Sequence, residues 1–321
     1  MDWIIKELQY KAGLFQETGQ IIAFDPGVVK SDKAIPAELQ QALREAIRPL
    51  ENVPEDQKDY HPGSDNKVVD LVHPSLFPVV YGHTRILPDK IIGLDDCLHN
   101  VGQGELLPRP GEPQTVHQFH WRHGSDFEPF SRKFQWMPCD VEFTSDGECR
   151  IVSYINNLHP HENSTLYKVL EKILTRTIPL WNTTLTNVSH NLPRISYSGV
   201  EYLDHPEPEP KQEDGERDDT FWDRHGEWEK SRPIKQPEPG EFSSVNFQSL
   251  REVDELQKDF AESGLQVIVK LANIELTPEK PQYDGGSWHV EGQLVRNFDH
   301  LLMTKLISIE RAHLRICYIL L

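Results

Sequence analysis

In the stretch CDVEFTSDGECRIVSYINNLHP, Cys139–Pro160, apolar and polar residues alternate on both sides of Ser145-Asp146-Gly147-Glu148. A period of two sends successive side chains to opposite faces of a strand, and Asp-Gly supplies the positive φ that a two-residue hairpin turn requires. Val141 and Phe143 therefore face one side with Ile151 and Ser153 opposite, which commits the chain here to antiparallel sheet. A second strand reads in LQVIVKLANIEL, Leu265–Leu276. It follows a helical stripe of Leu250, Val253, Leu256 and Phe260, opened by the capping-box pair Ser249 and Glu252 and closed at Gly264. A third strand, Trp288–Glu291, comes after a loop centred on Pro278 and Pro281. Strands separated by helices, with a hairpin among them, argue against a parallel doubly wound sheet. The expected fold class is α+β, with helices packed around an incomplete antiparallel β-sheet.

Two helices open the chain. Trp3, Ile4, Leu8, Leu14 and Phe15 recur at spacings near three and four, with Gly19 as the stop. IPAELQQALREAIRPLENVP starts at Pro36, aligns Leu39, Leu43, Ile47 and Leu50, and is ended by Pro54. A third helix, STLYKVLEKILTRTI, presents Leu166, Val169, Leu170, Ile173 and Leu174 on one side and is expected to stop at Pro179. Residues 201–241 differ in character, with fourteen acidic residues, six basic ones and six prolines. So few aliphatics cannot form a core, and the segment reads as a charged, proline-rich surface excursion, partly disordered. Trp222 and Trp228 are its exceptions, as local loop contacts or as a partner site.

The 321 residues carry 51 acidic and 33 basic side chains, a net charge of -18 and a pI near 5.2. Such a field repels DNA, RNA and anionic lipid, so neither nucleic acid nor membrane is an expected partner. No apolar run approaches the roughly 18 residues that span a bilayer, and acidic residues follow Met1 where a targeting segment carries basic ones. Cys97, Cys139, Cys149 and Cys317 form no CxxC pair and read as free thiols of a reducing compartment, cytoplasmic or nuclear.

Metal chemistry is suggested at YDGGSWHVEGQL, Tyr283–Leu294. His289 and Glu291 stand two apart, so on a strand both point to one face and reach one ion. Gly285 and Gly286 allow close approach of backbone or ligand just before them. The pair suits Fe(II) held by two histidines and a carboxylate, and equally zinc, while a merely hydrogen-bonded couple needs no ion. Other histidines read as structural. His61 and His73, each followed by proline, flank VVDLV at no standard ligand spacing and are left out of the ligand set. His159 and His161 look like the exit from a strand into a helix.

The motifs ELQYKAGLFQETG, HPGSDNKVVDLVHPSLFPVVYG, FQWMPCDVEF, SYINNLHP and ELTPEKPQYDGGSWHVEG, in this order, resemble those of the fungal family of domain of unknown function 4246, from about Asp2 to Leu294. The resemblance implies a C-terminal half like the double-stranded β-helix, a jelly roll, of iron and 2-oxoglutarate dependent oxygenases. It places the first histidine and the carboxylate at His289 and Glu291, with glutamate in place of the commoner aspartate. It further implies Fe(II) and 2-oxoglutarate, a second histidine several strands later, and an arginine for the distal carboxylate of the co-substrate. Residues 295–321 hold His300 and His313 with Arg296, Arg311 and Arg315, none of them in a family motif. The reading is therefore a family-like domain over 1–294 and an atypical tail at 295–321 without the strands that complete a jelly roll, as in a truncated chain.

Three classes of function follow. The first is an oxygenase-like protein, truncated or inactive, acting on a small-molecule or protein substrate. The second is a non-catalytic scaffold in which His289 and Glu291 satisfy only each other. The third is a zinc hydrolase with Glu291 free to act as base.

Overall fold

The computed structural model describes residues 1–24, 28–111, 131–188, 199–237, 241–242, 255–286, 303–310 and 313–320, the last two segments as backbone strands. In chain order the elements begin with α1 (Asp2–Thr18), β1 (Ile21–Phe24), β2 (Val28–Lys30), α2 (Ala37–Glu51), β3 (Asp59–Tyr60), β4 (Val68–Val72), β5 (Val79–Val80) and β6 (Arg85–Ile86). They continue with β7 (Glu105–Leu106), β8 (Phe134–Gln135), β9 (Cys139–Phe143), β10 (Cys149–Ile151), α3 (Ser164–Val188) and α4 (Asp218–Ser231). Last come α5 (Leu256–Asp259), β11 (Leu265–Glu275), β12 (Met303–Glu310) and β13 (His313–Leu320). The class is α+β, all strand pairs are antiparallel, and no sheet closes on itself among the described residues. The chain forms two compact units, Met1–Lys30 with Thr184–Val253, and Ser31–Thr183 with Asp254–Leu321.

In the first unit, Gly19 ends α1 in the left-handed conformation at φ 70, where a residue without Cβ is at ease, and its N–H bonds the Phe15 carbonyl. The helix does not present the face its apolar spacing suggests. Trp3 and Tyr10 pack on Phe242, with ring centroids 5.5 and 6.2 Å apart, and Glu7 between them is buried. Ile4 and Leu8 lie on the neighbouring face and stay exposed. Residues 201–237 are also more ordered than their composition suggests. Although α4 buries no residue, Arg224 grips Glu216 through two nitrogens at 2.7 and 3.2 Å, and the Trp228 indole N–H donates to the Glu207 carbonyl. Arg232 stacks 3.8 Å over the Tyr202 ring, and Tyr202 bridges to Ile234. Surface hydrogen bonds and aromatic contacts replace the missing core.

The second unit is built on β11. Leu265–Val267 pair with β9, and over Leu271–Ile274 the strand is flanked on both edges, by β4 and by β13. β12 extends the sheet beyond β13, and β3 extends it beyond β4. The tail thus contributes two strands where the sequence promised none. Two-stranded pairs β5·β8 and β6·β7 stand apart. The hairpin of β9 and β10 puts Ile151 opposite Val141, and its loop is three residues, Ser145–Gly147, with the Thr144 N–H on the Glu148 carbonyl and Gly147 at φ 79, one residue longer than the expected two-residue turn.

Helix α3 supplies the largest block of core. Leu166, Leu170, Ile173, Leu174 and Ile178 are almost wholly buried, each contributing roughly 1.5–3 kcal/mol of apolar transfer. It also covers the edge of β10, since Thr175 Oγ1 and Glu171 Oε1 accept from the Cys149 and Ile151 N–H groups. The helix continues through Pro179 to Val188 instead of stopping there. Ile178 and Trp181, buried on either side of the proline, hold the helical course that its missing N–H would otherwise break. Helix α2 lies against β4, and its Glu51 accepts from Asn273 of β11. Of the helix expected before β11, α5 is the described part, while Leu250 and Val253 lie outside the described residues.

Candidate metal centre

The hairpin that joins β3 to β4 brings two side chains to one face. Asp59 pairs with Asp70 and Tyr60 with Val69, and the His61 N–H bonds the Val68 carbonyl. His61 is therefore opposite Val68, and Asp70, two residues on, is its diagonal neighbour on the same face. The connection HPGSDNK turns through positive φ at Gly63, Asp65 and Asn66, the residue types that tolerate it best. Buried Ser64 closes the loop, its N–H on the His61 carbonyl and its Oγ accepting from the Val68 N–H.

A bulge brings in the third. Ala272 pairs with Asp70 but Leu271 pairs with Val72, so Leu71 is one residue too many on β4. On a regular strand Asp70 and His73, three apart, point to opposite faces. The extra residue slips the alternation by one and puts His73 on the face of Asp70 and Ala272. The strand ends there, at His73-Pro74.

The three side chains form one cluster. His61 Nδ1 lies 2.8 Å from Asp70 Oδ2, His73 Nε2 lies 3.8 Å from the same oxygen, and the three donor atoms are within 4.8 Å of one another. The Asp70 side chain is 4% exposed, His73 12% and His61 39%, so the cluster opens on the His61 side. Asp70 Oδ1 and His73 Nε2 are buried with no hydrogen-bond partner among the described residues. Trp136 stands edge-on to the His73 ring, centroids 6.5 Å apart, and the two imidazoles are 5.4 Å apart. Burial pushes the His73 imidazole below the usual histidine range. Asp70 opposes this, Lys270 and His61 add to it, and Asp59 opposes it more weakly. Burial thus disfavours the protonated ring, and the neutral imidazole is the form that ligates metals.

Ser75 fixes the orientation of that ring. Its Oγ is 2.6 Å from His73 Nδ1, and its backbone N–H donates to the same nitrogen at 3.3 Å. The hydroxyl serves either tautomer: it donates, beside the backbone N–H, to a bare Nδ1, or it accepts from Nδ1–H when Nε2 binds an ion, the 3.3 Å backbone contact then being given up.

Two imidazoles and one carboxylate on one face suit a divalent first-row ion with open positions for other ligands. Ligand atoms bound about 2.0–2.2 Å from one ion lie about 3–3.5 Å from each other. The His61–Asp70 and Asp70–His73 separations of 2.8 and 3.8 Å bracket that spacing. An ion between Asp70 Oδ2 and the orphaned His73 Nε2 would give that nitrogen its partner.

His289 and Glu291, the pair singled out by sequence, lie outside the described residues, as does His300, and the described part of His313 is its backbone in β13. His159 uses Nδ1 to accept the Glu162 N–H, and exposed His161 lies 3.7 Å from Asp95. His61 and His73, left out of the ligand set by sequence, converge on Asp70. The overlooked signal was Asp70 itself, a carboxylate in the middle of the apolar run VVDLV. Compared with known proteins, the chain matches a family model described as "Protein of unknown function (DUF4246)" over residues 1–308. No curated protein and no solved structure matches the chain.

Proposed function

For a chain that belongs to the DUF4246 family, whose description names no activity, we propose on the geometry of the cluster that it binds one divalent first-row metal ion through His61, Asp70 and His73. The observation that carries this reading is the buried Asp70, bonded to one imidazole and facing the unpartnered Nε2 of the other, with its own Oδ1 unpaired. A buried carboxylate left partly unsatisfied costs stability, and a bound ion would offset that cost. Asp70 offsets one of the ion's two charges, and His61 marks the open side where a substrate enters. Bound there, Fe(II) supplies dioxygen chemistry and zinc supplies an acidified water. The iron reading is preferred because the ligand set is that of non-haem oxygenases, with 2-oxoglutarate as the co-substrate to try first. On this reading the open sheet of β11 is part of a double-stranded β-helix, and His289 with Glu291 is a second pair to be tested against the triad.

The test is anaerobic titration of the purified chain with Fe(II) and with Zn(II), followed by 2-oxoglutarate and oxygen with succinate as the readout. One equivalent of metal, lost in Asp70→Asn and His73→Ala and kept in His289→Ala, supports the triad. Loss in His289→Ala and Glu291→Ala alone moves the centre to that pair. Failure of the wild type to retain either ion refutes the proposal.

A further inference from the structure

We infer that Asn156, in the motif SYINNLHP, is the positioning residue of the metal centre, holding the turn that aims His73; this inference rests on the metal reading above. His73 opens a tight turn, His73-Pro74-Ser75-Leu76, in which the Leu76 N–H bonds the His73 carbonyl. Asn156 reaches this turn from 82 residues away in sequence. Its Nδ2 donates to the Pro74 carbonyl and to the Phe77 carbonyl, both at 2.9 Å. These two acceptors flank Ser75 and Leu76, so both protons of one amide clasp the segment that carries the hydroxyl on His73 Nδ1.

The clasp is itself rigidly mounted. Asn156 is 4% exposed. On one side of it the Ile155 N–H donates to the Tyr167 hydroxyl, which in turn donates to the Leu158 carbonyl. On the other side the Asn157 N–H donates to the Tyr154 hydroxyl, with Asn157 at φ 64. Tyr167 is buried on α3, so the position of Asn156 is set by the core helix. The path runs from α3 through Tyr167 and Asn156 to the turn, then through Ser75 to the imidazole. An outer partner of this kind orients a ligand without touching the ion. The Asn156 amide has one workable orientation here, because a flipped amide sets its oxygen against two carbonyls.

The test uses Co(II) as probe on the full chain, reading affinity and the visible d–d spectrum, with circular dichroism as the check of folding. In Asn156→Asp a carboxylate faces two carbonyls and both donations are lost. In Ser75→Ala, at an exposed position, the hydroxyl on Nδ1 is lost with little risk to the fold. Each variant is expected to weaken Co(II) binding about 10- to 100-fold and to change the d–d bands, and Ser75→Thr, which keeps the hydroxyl, to restore both. If Asn156→Asp does not fold, Asn156→Ala, which removes both donations without setting a charge against the two carbonyls, decides by the same readouts. A wild type that takes up no Co(II) sinks the metal reading and this inference with it. A wild type that binds, beside folded variants with unchanged affinity and spectrum, overturns the inference alone.

Discussion

Replacing Asp70 by asparagine keeps the shape of the side chain and removes its charge. In the metal-free protein two effects then oppose each other. The contact of His61 Nδ1 with Oδ2 at 2.8 Å becomes a bond between neutral groups, a loss of about 1–2 kcal/mol. Against this, the carboxylate is buried with Oδ1 unpaired, a desolvation cost of about 1–3 kcal/mol that a neutral amide partly escapes. The two nearly cancel, and metal-free Asp70→Asn is expected within about 1 kcal/mol of the wild type. Added metal separates them. With Zn(II) at about 100 times its Kd the wild type gains about 2.7 kcal/mol, and the variant, short of one ligand, gains almost none. Urea unfolding followed by far-ultraviolet circular dichroism, with chelator and with Zn(II), measures all four values. A variant more than about 3 kcal/mol less stable in chelator, beside a wild type indifferent to Zn(II), would make Asp70 a structural ion-pair partner and refute the reasoning.

Burial pushes the Cys139 thiol up to about 12 and the Cys149 thiol to about 11. Both stay protonated in the folded chain while the unfolded chain releases their protons above about pH 9, so stability falls as pH rises from there. The slope is checked by unfolding at increasing pH and is expected to flatten in a Cys139→Ala, Cys149→Ala double variant. At Gly264, φ 67, an added Cβ meets the Val141 carbonyl at 2.5 Å. Gly264→Ala is therefore expected to cost more than about 2 kcal/mol, and Gly147→Ala, which meets nothing closer than 3.6 Å, only the strain of its positive φ; thermal unfolding of the pair ranks them. Leu170→Ala, at a fully buried position of α3, is expected to lose about 2–5 kcal/mol, while Leu8→Ala, 61% exposed, changes stability by less than about 0.5 kcal/mol.

Local pattern carried much of the second unit. The Asp146-Gly147 turn, the stripe of α3 and the strand β11 are each written in neighbouring residues, because a period of two or of 3.6 is a local property. Where distant residues decide, local rules failed. Pro179 ends a free helix, yet burial on both sides carries α3 past it. The apolar residues of α1 spread over several faces, and Phe242, more than two hundred positions away, selects the one that is covered. The charged stretch 201–237 satisfies no core criterion and is ordered by paired polar groups instead, a form of structure that hydropathy does not register.

The cluster of His61, Asp70 and His73 was hidden for a sharper reason. A histidine three residues after an aspartate is on the wrong face of any regular strand, so the spacing DLVH argues against a shared ligand set. What reverses the argument is the one-residue bulge at Leu71, and a bulge is a relation between β4 and its partner β11 at Leu271 and Ala272, about two hundred residues downstream. Nothing in the local sequence records it. Energetics leaves a trace where spacing does not. A carboxylate in a strand buried from Val69 to Val72 is costly unless something compensates it, and His61 alone leaves Oδ1 unpaired. The question put by VVDLV was what Asp70 is for. The bulge gives up ladder regularity and puts His73 on the face of Asp70, where Ser75 bonds its Nδ1 and Asn156 bonds the carbonyls on either side of Ser75 and Leu76.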